Sequence, residues 1–560
     1  MAQDTNQNRP ADVAQADSVG GMAKRLLNPA HLSDLARRSA ATLKEQGAEQ
    51  LWRDVTFRVG LAFHHDSWQH RADLPLRREL KAQRAEYADG KPGPVVSVVV
   101  PLYNTPEKFF GQMLASVQKQ TYPHWQLVLV DASDAAHAAF STHASKAVEN
   151  GGIAANTTAG FVLATGTYIA LLDHDDVLYP NALYESVKTL QSQGAELVYS
   201  DEIVLSADLK QLGGYHFAPD YLRGVNFITH LAVFSRALLD RAGAYESSAY
   251  DGAQDHDLML RLTEQTTRDK IAHIKKVLYI WRGHAGSTAA GMEAKPYALA
   301  AGVRAIDAQL KRLNLPGKAM QVEDAPGAFQ VRYELTGHPL VSVMIPNKDH
   351  IDDLDRCLKS LYANAGYDNF EVLVIENNSE QQETFAYYKT MTERYPNSRV
   401  VTYVGPFNFS AVNNLGARFA KGEHLLLLNN DIEVLSHDFL RELLSYSQRP
   451  DVGAVGAKLY YPDDTIQHAG VIMGINGSAG HSHKSYPRKA VGDLYRLVTT
   501  QDYMAVTGAC LMTKTELYRA AGGLDEARFA VAYNDVDYCL KLWQKGLLNV
   551  YTPRAEAYHY

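Results

Sequence analysis

Cysteine is scarce in this chain: three in 560 residues, Cys357, Cys510 and Cys539, with no paired metal-ligand spacing. That excludes a disulfide framework and a thiolate zinc site, and it suits a reducing compartment. No apolar run approaches the roughly 20 residues that cross a bilayer, and the N-terminus lacks the basic-then-apolar order of a secretory signal. No P-loop GxxxxGK[ST] occurs, which removes the commonest nucleotide-phosphate cradle. Positive charge is not in excess either. The formal net charge of −8 argues against nucleic acid as a partner. What is present is ordinary globular composition, 46% apolar and 21% charged. A chain this long needs more than one core. The expectation is a soluble, cytoplasmic, multidomain protein.

Residues 1–20 are polar and read as a disordered tail. Residues 21–90 read as a helical N-terminal region, with Leu26, Leu27, Leu32 and Leu35 set among charges. Arg25, Arg37, Arg38 and Lys44 make part of it basic, which fits a solvated face or docking on an anionic membrane or a partner. From 91 to 291 the pattern changes. Buried-strand runs alternate with helical stretches of ten to fifteen residues, the signature of a largely parallel sheet with crossover helices. A connector follows over 292–337, helical from Lys295 to Leu313 and loop-like from Pro316 to Gly327. The series then restarts over 338–560.

The restart is a repeat. The apolar-Ser-Val-apolar-Pro run ending at Pro101 recurs ending at Pro346, and the strand ending at Asp131 recurs ending at Glu376. IALLDHDDVL (Ile169–Leu178) recurs as LLLLNNDIEV (Leu425–Val434), so Asp173 and Asp175 correspond to Asn429 and Asp431, with Asn430 between the latter two. QDHDLMLRL recurs as NDVDYCLKL, matching Asp255 with Asp535 and Asp257 with Asp537. Both halves close on an aromatic-rich strand with a histidine, His284 and His559. Five landmarks in one order point to tandem duplication.

The acids define the chemistry. A buried strand that ends in acids places them at the rim of a sheet, where open α/β folds bind ligands. Asp173 and Asp175, one residue apart on extended backbone, point to one side and offer hard oxygens suited to Mg²⁺ or Mn²⁺. A solvated acidic turn is the competing reading. Asp131 stands where a base or ribose would be bound, although strands also end in Asp for turn reasons. Asp255, opening a helix, reads as a cap or as a base for an acceptor hydroxyl. Its recurrence as Asp535 favours the base. His284 reads as a third metal ligand or a diphosphate contact.

The ordered set VSVVVPLYN, VLVDAS, ALLDHDD, YSDE, QDHDLMLRL and YIWRGH resembles family 2 glycosyltransferases of the GT-A fold. VSVMIPNKD, VLVIENNS, GPFNFSAVNN, LLLLNNDIEV, IQHAGV and FAVAYNDVDYCLKL carry the same resemblance through the second half. Together they resemble the tandem-domain enzymes of bacterial O-antigen, rhamnan or similar surface polysaccharides. The resemblance implies an α/β chain of two tandem Rossmann-like GT-A domains. It implies donor contacts from Pro101, Tyr103, Asp131, Asp173, Pro346, Glu376, Asn429 and Asn430. Metal would be held by Asp175, His284, Asp431 and His559, and Asp255 and Asp535 would be the catalytic bases. The implied partners are a nucleotide-diphosphate sugar and a lipid-linked or oligosaccharide acceptor, with peripheral association at the inner membrane or export machinery. Two departures stand out: Asn429 replaces an Asp, and Glu376 replaces an Asp. Because such domains usually continue past the histidine, a chain ending at Tyr560 is expected to be part of a longer one.

Three alternatives remain at this point. One half alone is catalytic and the other holds acceptor; the chain binds nucleotide sugar or glycan without chemistry; or it is another metal-dependent nucleotidyl or phosphoryl transferase.

Overall fold

The computed structural model describes residues 75, 77–134, 145–205, 210–212, 216–243, 248–282 and 296–560. The expected tail and most of the expected N-terminal helical region lie outside these residues. The helix Arg77–Glu86 is the described part of that region.

The first half builds one sheet from β1 (Val96–Leu102), β2 (Trp125–Asp131), β3 (Lys146–Ala147), β4 (Tyr168–Leu171), β5 (Val177–Leu178), β6 (Leu197–Leu205), β7 (Lys210–Leu212), β8 (Ala232–Ser235) and β9 (Ile271–Arg282). Their order is β3-β2-β1-β4-β8-β6-β9-β5, with β7 on β6. After a connector hairpin, β10 (Gly317–Gln321) and β11 (Phe329–Tyr333), the second half adds β12 (Val341–Asn347), β13 (Phe370–Glu376), β14 (Ser398–Thr402), β15 (His424–Leu428) and β16 (Ile432–Val434). It continues with β17 (Val452–Tyr460), β18 (Ile466–His468), β19 (Val471–Met473), β20 (Ala479–His481), β21 (Gln501–Tyr503), β22 (Cys510–Lys514) and β23 (Leu548–His559). The second large sheet runs β14-β13-β12-β15-β22-β17-β23-β16. Position by position, the two orders are the same. The duplication read in the sequence is a duplication of topology.

The repeat reaches individual hydrogen bonds. Ser97 Oγ donates to Gln126 Oε1 at 2.6 Å and accepts the Gly166 N–H at 2.9 Å. Ser342 Oγ donates to Glu371 Oε1 at 2.7 Å and accepts the Gly422 N–H at 2.8 Å. Each serine thus satisfies a polar group inside an otherwise apolar central strand, which would be costly to leave unpaired. A Cβ on Gly166 or Gly422 would lie 2.6 Å from a backbone carbonyl oxygen, so only glycine fits at either place.

Three expectations need correction. The sheets are mixed rather than largely parallel: β8 and β22 run antiparallel to both neighbours. FITHLAVFS, the run containing β8, is short and carries a mid-run histidine, so its strand signal is weak. Lys146–Ala147 is a short edge strand where helix was expected. Gly317–Gln321 is a strand where a loop was expected, paired antiparallel with Phe329–Tyr333. Ala319, its inward residue, is buried between exposed neighbours, a half-buried alternation too short and polar to stand out.

One apolar core runs through the molecule. Val99 and Phe161 of the first half, Phe329 of the connector, and Val343 and Leu443 of the second belong to the same cluster. At the contact between halves, Asp220 Oδ1 accepts from Arg223 at 2.8 Å and from Arg449 of the second half at 2.7 Å. Tyr333 Oη donates to the same oxygen at 3.2 Å. The Asp220 N–H donates to Asp502 Oδ2 at 2.8 Å. Burial, and then the charge of Asp220, hold the Asp502 carboxyl well above its usual range, whereas the two arginines outweigh burial and hold Asp220 well below its own.

Candidate functional site

In the first half the acids sit where β4 ends. The loop Asp173–Asp176 brings Asp173, Asp175 and Asp176 together, with one ligand atom from each lying within 4.8 Å of the others. Asp176, which sequence reasoning did not single out, is fully buried. Its oxygens accept from Tyr279 Oη and from the Arg282 N–H, both at 2.8 Å. Burial, and then the neighbouring charges of Asp173 and Asp175, hold its pKa well above the usual carboxylate value. Asp176 therefore supports the loop while Asp173 and Asp175 stand at its rim.

His230, at the start of the β8 run, is a second residue the sequence did not disclose. Its Nε2 lies 3.5 Å from Asp173 Oδ2, and its ring stacks on Tyr279 with centroids 4.6 Å apart. Burial disfavours a charged imidazole, but Asp173, Glu202 and Asp255 outweigh it and raise the pKa to about 10. At the same rim, desolvation of Asp173 is overcome by His230, leaving that carboxyl below its usual range. Glu202, on β6, accepts from Thr229 Oγ1 at 2.7 Å, and burial pushes its pKa up to about 7. Asp255 opens the helix Gln254–Glu264. It lines the same cavity as Asp173, His230 and Glu202. Asp257 on the same helix is tied to Arg261 at 2.9 Å, which leaves the two acids with different jobs.

Asp131 ends β2 beside Leu102, nearly buried, and accepts the Ser133 N–H at 3.0 Å. Pro101 is half-buried in β1, and Tyr103 just beyond it is exposed. His284 lies outside the described residues.

The second half places its counterparts at the same rim. Asn429, Asn430 and Asp431 follow β15, and His559 ends β23 opposite Ile432. His559 Nε2 lies 3.2 Å from Asp431 Oδ1 and 3.1 Å from Asn429 Nδ2, and Gln467 Oε1 holds its Nδ1 at 2.5 Å. Asn430 Nδ2 donates to Asn347 Oδ1, just past Pro346, at 2.8 Å. Glu376 is engaged by its own surroundings: the Ser379 N–H and Oγ donate to it at 2.6 Å each, and Tyr388 Oη at 2.5 Å. Asp535 opens the helix Asn534–Gln544 and accepts the Gly508 N–H at 2.8 Å. Asp537 pairs with Lys541 at 2.6 Å, as Asp257 pairs with Arg261. His468 and His481, 2.8 Å apart, stand nearby. Burial keeps both pKa values low.

The acid set of the first half fits a divalent cation. In the first half the donor set is carboxylate oxygen throughout, and the crowding that raises Asp176 is what a cation would relieve. In the second, Asp431 is the single carboxylate, and its buried Oδ1 lies 3.2 Å from His559 Nε2.

Two family models match the chain: "Glycosyl transferase family 2" over residues 97–201 and "Glycosyltransferase like family 2" over residues 338–560. An uncharacterized protein, y4gI of Sinorhizobium fredii, is 40% identical over 486 residues, covering 84% of this chain and 53% of the relative. The O-antigen biosynthesis protein RfbC of Myxococcus xanthus is 37% identical over 486 residues, covering 83% of this chain and 37% of the relative. The chain thus spans about half the length of the first relative and little more than a third of the second. Among solved structures, the mannosyltransferase PcManGT of Pyrobaculum calidifontis overlaps 40% of this chain and 57% of its own, at 19% identity and a TM-score of 0.31. With two matched segments, one sheet order used twice and acid loops at equivalent strand ends, the chain belongs to glycosyltransferase family 2, which it represents in tandem as two α/β units of the GT-A class.

Proposed function

We propose that both halves are inverting glycosyltransferases that extend a bacterial surface polysaccharide from nucleotide-diphosphate sugars. One observation carries this reading: an acid opens a helix at the rim in each half, Asp255 lining one cavity with Asp173, and Asp535 accepting the Gly508 N–H next to Ala509, whose carbonyl accepts the Asn429 N–H. A non-catalytic binder has no need for such a carboxylate. In each half the Asp takes the proton of an acceptor hydroxyl. The freed oxygen attacks the anomeric carbon from the face opposite the diphosphate, and the C–O bond to the diphosphate breaks with its electron pair leaving on the nucleotide. Asp173, Asp175 and, in the second half, Asn429, Asp431 and His559 would hold Mg²⁺ or Mn²⁺. When bound, the cation neutralises the charge that builds on the leaving diphosphate. Asp131 and Glu376, at the ends of β2 and β13, are proposed to shape the nucleotide pocket through the loops they brace.

The O-antigen relative supports a lipid-linked or oligosaccharide acceptor. With such an acceptor, the location we propose is the cytoplasmic face of the inner membrane, as a peripheral component. No helix among the described residues is long and apolar enough to cross a membrane.

A second reading, one active half with the other holding acceptor, is favoured by Glu376 being enclosed by Ser379 and Tyr388. Asp255→Asn and Asp535→Asn made separately, with linkage analysis of the product, decide between the two. Loss of a different linkage in each variant, by about 10²- to 10⁴-fold in rate, supports two active sites. A silent Asp535→Asn leaves only the first.

A further inference from the structure

The first half's acids open onto a cavity of about 350 Å³, at the small end of ligand pockets. Part of its wall is foreign to that half. Phe329 comes from the connector hairpin, and Leu494 and Tyr495 come from the long insertion between β17 and β22 of the second half. The turn that delivers them is held in an unfavourable conformation, with φ of 44° at Leu494 and 62° at Tyr495. Bulky side chains rarely adopt such angles unless the surroundings impose them. Here they do. Tyr221 Oη of the first half donates to the Leu494 carbonyl at 2.9 Å, and Tyr495 Oη donates to the Pro326 carbonyl of the connector at 2.8 Å. Thr499 Oγ1 donates to the Tyr495 carbonyl at 2.8 Å. Phe329 is closely held too: a Cβ on Gly302, in the helix Pro296–Arg312, would lie 2.4 Å from the tip of its ring, so only glycine admits the ring there.

The lining therefore has two characters. Asp255 and Glu202 bring hydrogen-bond acceptors to it, and Phe329, Leu494 and Tyr495 bring apolar and aromatic surface. A sugar ring has matching surfaces, hydroxyls around its edge and C–H groups across its face.

We propose that Tyr495 and Leu494 of the second half are specificity-determining residues of the first: they complete its acceptor subsite and select which terminal sugar is presented to Asp255. This rests on the reading of Asp255 as the base. It adds that the choice of acceptor in one half is written in residues of the other.

The test is binding, measured on the full chain without donor. Methyl glycosides of hexoses and 6-deoxyhexoses are titrated and followed by saturation-transfer NMR. At least one should bind saturably. Tyr495→Ala should weaken that binding about tenfold, while Tyr495→Phe, which keeps the ring and loses the Pro326 hydrogen bond, should weaken it by less than about threefold. If Tyr495→Ala fails to fold, Leu494→Gly decides, since it relieves the backbone while opening the wall: weaker binding at an undiminished melting temperature supports the proposal. Unchanged binding in these variants, or no binding by any methyl glycoside, overturns it. Failure of the underlying transfer reading would look different: Tyr495-dependent sugar binding would persist with no nucleotide sugar turned over.

Discussion

The two halves share a sheet order, a buried serine and a matching glycine, yet they hold their acids in different ways. In the first half the acid loop is all carboxylate, and a histidine from the strand beside it, His230, compensates Asp173. In the second, a carboxylate is replaced by Asn429, and His559 reaches Asp431 from the far strand β23; its first-half counterpart, His284, lies outside the described residues. The position of His230 is taken in the second sheet by Ala509, just before β22. Backbone topology has been kept while the electrostatic solution has changed. Where a charge is compensated is therefore less constrained than where it is placed.

Metal removal should produce the largest effect and separate the halves. Chelation is expected to abolish both linkages, and manganese titrated back should restore the first half's at lower concentration, because the two carboxylates Asp173 and Asp175 bind a hard cation better than one carboxylate with an amide and an imidazole. A single restoration curve for both linkages would erase the distinction. Next come the histidines. His559→Ala should lower manganese affinity of the second half alone by about 10- to 100-fold, whereas His230→Ala, which removes the positive charge that compensates Asp173, should not lower that of the first; electron paramagnetic resonance of bound manganese reads this without turnover. The shared features should give equal effects. Gly166→Ala and Gly422→Ala each force a Cβ onto backbone and should cost about 1–3 kcal/mol by denaturant unfolding, with similar values in the two. Unequal costs would mean the repeat is looser than its hydrogen bonds suggest.

The smallest effect concerns the contact between halves. Asp502 has a folded pKa above its unfolded value, so the stability it contributes is complete below the unfolded pKa and is lost as pH rises through the folded one. Asp502→Asn, which stays neutral, should therefore gain melting temperature over the wild type as pH is raised from 5 to 8. A difference that shrinks over that range would show Asp502 to be ionised.

Much of this was legible in the sequence because duplication shows each signal twice. Asp255 and Asp535 are weak alone and specific as a pair, and both open helices as expected. The acid loops stand at strand ends for the same reason. What escaped reading depends on long-range pairing. His230 lies in a short run whose strand character comes from neighbours far along the chain, and nothing local marks it as the partner of Asp173. Asp176 was visible as an acid, but its burial under Tyr279 and the Arg282 N–H is a tertiary fact. The same holds for Leu494 and Tyr495, whose importance lies in the opposite half.

The core that passes unbroken from one sheet through Phe329 into the other has a kinetic consequence. Two rims welded through a common interior keep a constant separation. If both rims act on one glycan, as proposed, that glycan must itself travel from one rim to the other.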